Sequence, residues 1–236
     1  MNVELEHASY QFEGYDELCL KSGQNHAHSI LLIPPLFDEM NRMRMMLVDV
    51  MRMLDRKAIG CILPDLPGTN ESLFPSEKAN LTVWKQALSQ CCDQHLEGRH
   101  IVSFRGGCLI DMIIDKPILW RFAPVNGNSL LRTMMRARIA SDKEAGQNVT
   151  MDQLANEADA AMVNLAGNLL SGQAFAELGD AVPADAQSTR LALLQGRSQP
   201  ADIHLAGSAL WLRAEPERDL VLSQAVADDI ADWISA

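Results

Sequence analysis

Apolar runs of strand length alternate with runs of helical period from residue 29 to residue 122. That alternation predicts an α/β fold with a doubly wound, mostly parallel sheet and helices on both faces. Two further observations agree. The chain has 236 residues, 47% of them hydrophobic, which suits one domain with a sizeable core. Residues 126–181 then drop the alternation and show helical patterns only, which predicts a helical cap insert. The expected division is a core of residues 1–125 and 182–236 with a cap of residues 126–181.

Each element has its own signal. Residues 10–12 and 18–21, separated by Gly14, read as an opening hairpin. Residues 29–33 are a short apolar run stopped by Pro34 and Pro35, the mark of a buried strand. In residues 40–55 the side chains Met43, Met46, Leu47, Val50, Met51 and Leu54 fall at helical spacing. A strand at 60–63 ends in the turn-rich Pro64-Asp65-Leu66-Pro67-Gly68. A polar loop leads to a helix at 81–94, which Gly98 closes off. Residues 101–104 read as a strand, the apolar run 108–114 as a helix and 118–122 as a further strand before Pro124. In the insert, helices are expected at 130–140, 151–170 and 173–178. Short strands follow at 191–194 and 203–205, with a third candidate at 209–212, and an amphipathic helix at 220–234 ends the chain.

Charge and cysteine content narrow the partners. Formal net charge is −11, which repels phosphate backbones and anionic lipid, so neither nucleic acid nor a membrane surface is an expected partner. The opening residues are acidic and lack an apolar leader core, and no run reaches the roughly 18 apolar residues of a membrane span. The five cysteines, Cys19, Cys61, Cys91, Cys92 and Cys108, are odd in number and show no C-x-x-C pair, so reduced core thiols and a cytoplasmic location are expected. No zinc-like spacing and no cofactor motif occurs. His26 and His28 lack a third ligand for a metal. The methionine row of residues 40–55 reads first as a core stripe, and its surplus leaves room for a homodimer through an adaptable surface.

The stretch Ser103-Phe104-Arg105-Gly106-Gly107 carries the chemistry. A strand, a turn and an apolar run in that order are the setting of a G-x-S-x-G nucleophile elbow. The elbow needs Gly, Ser and Gly at 103, 105 and 107; the chain supplies Ser103, Arg105 and Gly107. A guanidinium stays protonated, so it serves neither as nucleophile nor as base. The triad's base would follow the last strand, where Leu210 stands. Its acid would follow residues 191–194, where the first carboxylate is Asp202.

Together these runs resemble the α/β-hydrolase-fold family called exosortase A system-associated hydrolase, type 2. Its P-P-F-x-E-E-M-N-K-x-R-R-M block is similar to Pro34-Pro35-Leu36-Phe37-Asp38-Glu39-Met40-Asn41-Arg42-Met43-Arg44-Met45. Its D-L-F-G-x-G-D-S is similar to Asp65-Leu66-Pro67-Gly68-Thr69-Asn70-Glu71-Ser72, and its helical tryptophan to Trp84. Its G-L-R-x-G is similar to residues 103–107, its W-x-P-V-x-x-G to residues 120–127, and its G-x-x-F-W to Gly207-Ser208-Ala209-Leu210-Trp211. The likeness runs from about residue 10 to the C-terminus and is weakest through 145–200. It implies an α/β-hydrolase-type sheet with a cap, and a place beside exopolysaccharide and exosortase-linked envelope assembly.

Several residues are candidates for the site. Arg105, with Gly106 beside it and the positive end of the expected helix at Gly107, could anchor a carboxylate, a phosphate or an acidic sugar. It could equally pair with Asp38 or Glu39 and hold the first strand–helix loop, and the two roles are compatible, with one carboxylate partner and one ligand. Asp38, Glu39 and Asn41 stand where hydrolases place an oxyanion-hole loop. They suit the hydroxyl groups of a saccharide, or they cap a helix. The expected function is that of a pocket-bearing, catalytically altered member that binds an anionic or saccharide-like small molecule. One alternative is an esterase, thioesterase or deacylase with a non-serine site built on Glu39 or Asp65. The other is an interaction protein with a vestigial pocket. Ser103, Cys108 and Ser72 read as strand, core and turn residues.

Overall fold

The structure is a computed structural model that describes residues 4–23 and 25–235. Met1 to Val3, on which part of the leader reading rests, lie outside the described residues. Strands β1 (Glu6–Phe12) and β2 (Tyr15–Ser22) form an antiparallel hairpin. Its two-residue turn, Glu13 and Gly14, has positive φ at both positions, the twist that a tight hairpin requires. Then come β3 (His28–Ile33), α1 (Asp38–Asp55), β4 (Ile59–Pro64), α2 (Leu81–His95), β5 (His100–Phe104) and β6 (Ile118–Phe122). Between β6 and β9 lie α3 (Gly127–Glu144), α4 (Met151–Ala160), a small hairpin β7 (Val163–Leu165) and β8 (Asn168–Leu170), and α5 (Gly172–Asp180). The chain ends with β9 (Thr189–Leu194), β10 (Ile203–Leu205) and α6 (Leu220–Ser235).

Eight strands form one sheet in the order β1-β2-β4-β3-β5-β6-β9-β10. From β4 to β10 the pairing is parallel, and β2 meets β4 antiparallel. The doubly wound, mostly parallel sheet expected from the alternation is therefore present. Strands buried on both faces explain why 30–33 and 61–63 read as unbroken apolar runs. Two apolar clusters fill the two faces. One joins α1 and α6 to the sheet through Met43, Met46, Val50, Leu222 and Val226; the other joins α2, α3 and α5 through Trp84, Leu88, Leu131 and Leu178. The methionine row is thus mostly a core stripe. All five cysteines are free and buried.

Strand order reverses at β3, which pairs with β4 on one side and β5 on the other. A crevice opens at such a switch point, beyond the carboxyl ends of the strands. Pro34 to Asp38 and Arg105 sit on its rim.

Three expected elements differ. No α-helix occupies 108–114. Residues Arg105–Leu109 make a single 3-10 turn, and an irregular segment then leads to β6. That segment is fixed by a buried ion pair: Arg121 on β6 grips Asp111 through two hydrogen bonds of 2.7 Å, and Ser103 donates to the same carboxylate at 2.7 Å. The expected helix at 151–170 stops at Ala160, because the turn Ala166-Gly167, with φ of 51° and 88°, folds the remainder into β7 and β8. The strand candidate at 209–212 is a 3-10 turn, Leu210–Leu212, without sheet partners.

The packing leaves no room for a side chain at Gly107. A Cβ there would lie 2.4 Å from the Pro34 carbonyl oxygen and 2.9 Å from that of Ile33, both backbone atoms. Gly107→Ala is expected to cost about 3 kcal/mol, the upper range for overpacking, and calorimetry should show a melting temperature lower by roughly 6–12 °C. Gly98→Ala, whose Cβ would meet nothing closer than 3.6 Å, should melt with the wild type.

Candidate functional site

Arg105 follows β5 directly with φ +53°, a conformation that a bulky residue adopts only where its surroundings enforce it. The bend turns its side chain back over the crevice rim. There Nε donates to Glu39 Oε2 at 3.1 Å, Nη2 to Glu39 Oε1 at 2.9 Å and Nη1 to the Ala123 carbonyl at 2.9 Å. The guanidinium carbon lies 4.3 Å from the centroid of the Trp211 ring, a cation–π contact. The two charged side chains are only 12% and 13% exposed. The pairing expected of Arg105 is made with Glu39 and not with Asp38.

Four strand-end segments meet at this guanidinium. Glu39 comes from the first turn of α1, where a carboxylate also suits the helix's positive end. Phe37, just before it, has φ 58° and ψ −141°, backbone that is nearly restricted to glycine. Ala123 follows β6, also with positive φ, and Trp211 lies beyond β10. Arg42, one turn along α1 from Glu39, donates to the Trp211 carbonyl at 2.9 Å. The sequence motif pointed to Trp211 without assigning it a role; stacking on Arg105 supplies one. Gly106 is covered by Leu36 and Leu130, and the Arg105–Leu109 turn is too short to present a helix end, so the expected dipole at Gly107 is not there.

The other candidates occupy separate places. Leu210, at the base position, is buried in the core. Asp202, the nearest acid to the end of β9, accepts the backbone N–H of Leu191 at 2.6 Å. Cys108 is buried, and burial pushes its thiol up to about 12, with Asp111 adding to the rise. Ser72 binds its own loop, accepting from the Gly68 N–H and donating to Glu17. His26 pairs with Asp55 at 3.0 Å, away from the crevice. Among the described residues no group of three His, Cys, Asp or Glu side chains is placed to hold a metal. No helix among them is long and apolar enough to cross a membrane.

Two cavities flank the wall formed by Leu36, Phe37 and Asp38. The first, about 270 Å³, opens between the ends of β3 and β4 and the β7–β8 hairpin. Asp38, Asn41 and Asp65 of the sequence candidates meet here, joined by Asn70, Asn168 and Trp84. Asp65 is fixed at its backbone, its N–H donating to Leu18 and its carbonyl accepting from Tyr10. Asn70 donates to its Oδ1 at 2.9 Å, and Arg44 approaches the same oxygen at 3.7 Å. Burial raises its pKa despite Arg44 and Asn70, and Glu71 adds to the rise. The second cavity, about 290 Å³, lies under α3 and takes in the Arg105–Glu39 pair.

No family model matches the chain, and no curated protein matches it. Solved structures do. A ferulic acid complex of Est1E from Butyrivibrio proteoclasticus superposes with a TM-score of 0.60 at 13% identity, over 97% of this chain and 100% of that one. A haloalkane dehalogenase loop variant, DbeA-M1 from Bradyrhizobium elkanii, gives 0.60 at 13% over 99% and 97%. The thioesterase domain from the curacin biosynthetic pathway gives 0.57 at 13% over 99% and 100%. At such identity the likeness shows the fold, and the chain has the α/β-hydrolase fold.

Two outcomes follow from this geometry. Glu39→Gln and Arg105→Met should each cost about 2–4 kcal/mol, because each leaves a sheltered polar partner uncompensated. The double variant should cost less than their sum, with a coupling of about 1 kcal/mol or more in urea unfolding. Asp65 gives a pH signature. Its folded pKa lies above the unfolded value, so the folded state loses stability as pH rises through that window. Asp65→Asn should therefore be more stable than wild type at pH 7, and the gain should vanish below the ordinary aspartate pKa of about 3.9.

Proposed function

We propose that this protein is a ligand-binding member of the α/β-hydrolase fold that does not use a serine triad, and that a neutral, hydroxyl-rich, saccharide-like molecule occupies the cavity beside Asp65. The observation that carries the reading is the state of Arg105. It stands where the nucleophile would stand, and Glu39, the Ala123 carbonyl and Trp211 already engage it. With Leu210 and a backbone-bound Asp202 at the other two positions, no proton relay connects the three strand ends.

The same pairing removes the reason for an anionic ligand. A guanidinium neutralised by a bidentate carboxylate offers little net attraction. The cavity next to it is lined by Asp38 and Asp65, with Asn41, Asn70 and Asn168. Carboxylates accept and carboxamides both donate and accept, the complement of a ring of hydroxyls. The likeness of residues 34–45 and 65–72 to the exosortase-associated family supports a setting in exopolysaccharide-linked envelope assembly.

A second reading has one observation behind it. Asp65 faces a cavity with its proton affinity raised by burial, as a general acid would. Hydrolysis through Asp65 and a water is the activity to look for in that case.

Fluorophosphonate probes should leave the protein unlabelled. Neutral hexoses should raise its melting temperature more than the matching uronic acids do. At a hundredfold excess over Kd the gain is about 2.7 kcal/mol. Asn70→Ala should reduce it. Stoichiometric labelling of a serine, or melting curves that no neutral sugar moves, would refute the proposal.

A further inference from the structure

The outer face of α1 carries a patch at odds with the net charge of the chain. Asn41, Arg44, Met45, Val48 and Arg52 recur at i, i+3, i+4, i+7 and i+11, so they share one stripe of the helix. With Arg218, which lies across from them, they line an open hollow of about 420 Å³. The chain carries −11, yet this lining supplies three positive charges against the single negative charge of Asp49. Along the stripe between Arg44 and Arg52 the surface is apolar: Met45 is 39% exposed and Val48 half-buried.

Asp49 gathers these charges. Its side chain is 4% exposed and accepts from Arg218 Nη2 at 2.5 Å and Nε at 2.7 Å, and Arg52 approaches the same carboxylate at 3.9 Å. One sheltered carboxylate cannot neutralise two guanidiniums. It does hold Arg218 in one conformation, which lowers the ordering cost of any further contact that Arg218 makes. Asp49 takes two of the five N–H donors of that guanidinium and leaves others for a second acceptor. Arg44 reaches Asp65 only at 3.7 Å, and nearly half of its side chain meets solvent.

Such a hollow complements carboxylates that flank an apolar side chain. A phosphate backbone or an anionic bilayer would extend past the hollow and meet the acidic remainder of the surface, which repels it. A free inorganic anion would leave Met45 and Val48 unused. A peptide segment touches the patch alone. We infer that the outer face of α1 is a docking site for an acidic segment of a partner protein, its carboxylates paired with Arg44, Arg52 and Arg218 and an apolar side chain laid on Met45 and Val48. Methionine suits that surface, because its unbranched thioether adapts to the group laid on it. The inference does not depend on the ligand proposed beside Asp65.

A fluorescein-labelled peptide of glutamates and leucines, with the leucines at helical spacing, tests it by fluorescence anisotropy. Physiological salt, with its Debye length of about 8 Å, screens the chain's net repulsion. The full chain should bind this peptide and not its lysine counterpart. Arg52→Gln should weaken binding by about fivefold, the upper value for an exposed ion pair. Met45→Glu should weaken it by about tenfold or more, because it puts a like charge where an apolar contact was. Both side chains reach solvent, and a thermal melt that matches wild type reports that a variant folds; either variant alone carries the test. Replacing the leucines of the peptide by serine should weaken binding as well. No binding by wild type, folded variants that bind as wild type does, or equal affinity for the serine peptide would overturn the docking site. Capture by phosphatidylglycerol vesicles without peptide binding would overturn it too, and would assign the patch to a membrane surface.

Discussion

A guanidinium at the carboxyl edge of a parallel sheet brings a full charge to a place that little water reaches. Removing such a charge from water costs several kcal/mol unless geometry compensates. Here the compensation is close to complete. Glu39 takes two parallel hydrogen bonds, the Ala123 carbonyl takes a third, and Trp211 covers one flat face. Arginine alone could satisfy all three demands, because its fork matches a carboxylate and its plane matches an indole. The partners come from the start of α1 and the segments after β6 and β10. The pair is therefore the knot that joins four strand ends, and the crevice takes its shape from where that knot lies.

Its position divides the crevice. In a hydrolase of this fold the bend after β5 holds the attacking group, and substrate must reach it. Here the same bend is tied down to α1. Space is left on either side of the Leu36–Phe37–Asp38 wall, polar toward β4 and apolar toward α3. The second buried ion pair, Arg121 with Asp111, acts beneath the bend. It pins the irregular segment that stands where a helix would follow an elbow. Two internal ion pairs thus fix the bend and the segment that follows it.

The sheet was legible in the sequence because strands buried on both faces leave nearly continuous apolar runs, as at 30–33, 61–63 and 101–104, the last broken only by Ser103. The Arg105 turn was legible because Gly107 and the preceding strand set its place. Three things were hidden for physical reasons. Residues 108–114 are apolar enough for a helix, but Asp111 is drawn into a pair with Arg121 on another element, which sequence spacing does not reveal. The β7–β8 hairpin follows an alanine-rich helix with no proline to mark the boundary; the cue was Ala166-Gly167-Asn168, whose turn chemistry is weak because alanine seldom takes positive φ. The partners of Arg105 lie 66 and 18 residues away, so spacing could suggest Glu39 but not choose it over Asp38. Asp38, Asn41 and Asp65 were legible as candidates singly. That they line one cavity depends on the fold.

The proton affinity of Asp65 bears on what that cavity accepts. A carboxylate with a hydrogen bond from Asn70 and an arginine 3.7 Å away would ordinarily sit below its usual pKa. Burial instead raises it, outweighing what Arg44 and Asn70 return to the ionised Asp65. Any carboxylate or phosphate entering beside it would meet the same desolvation, plus repulsion from Asp38 and Asp65. A hydroxyl carries no charge to desolvate or repel, and each one donated to a carboxylate oxygen stabilises the ionised form. A ligand rich in hydroxyls would thus lower the Asp65 pKa on binding, while an anion would raise it further. A neutral, hydroxyl-rich ligand, as proposed, would on entry relieve the electrostatic cost that burial places on Asp65.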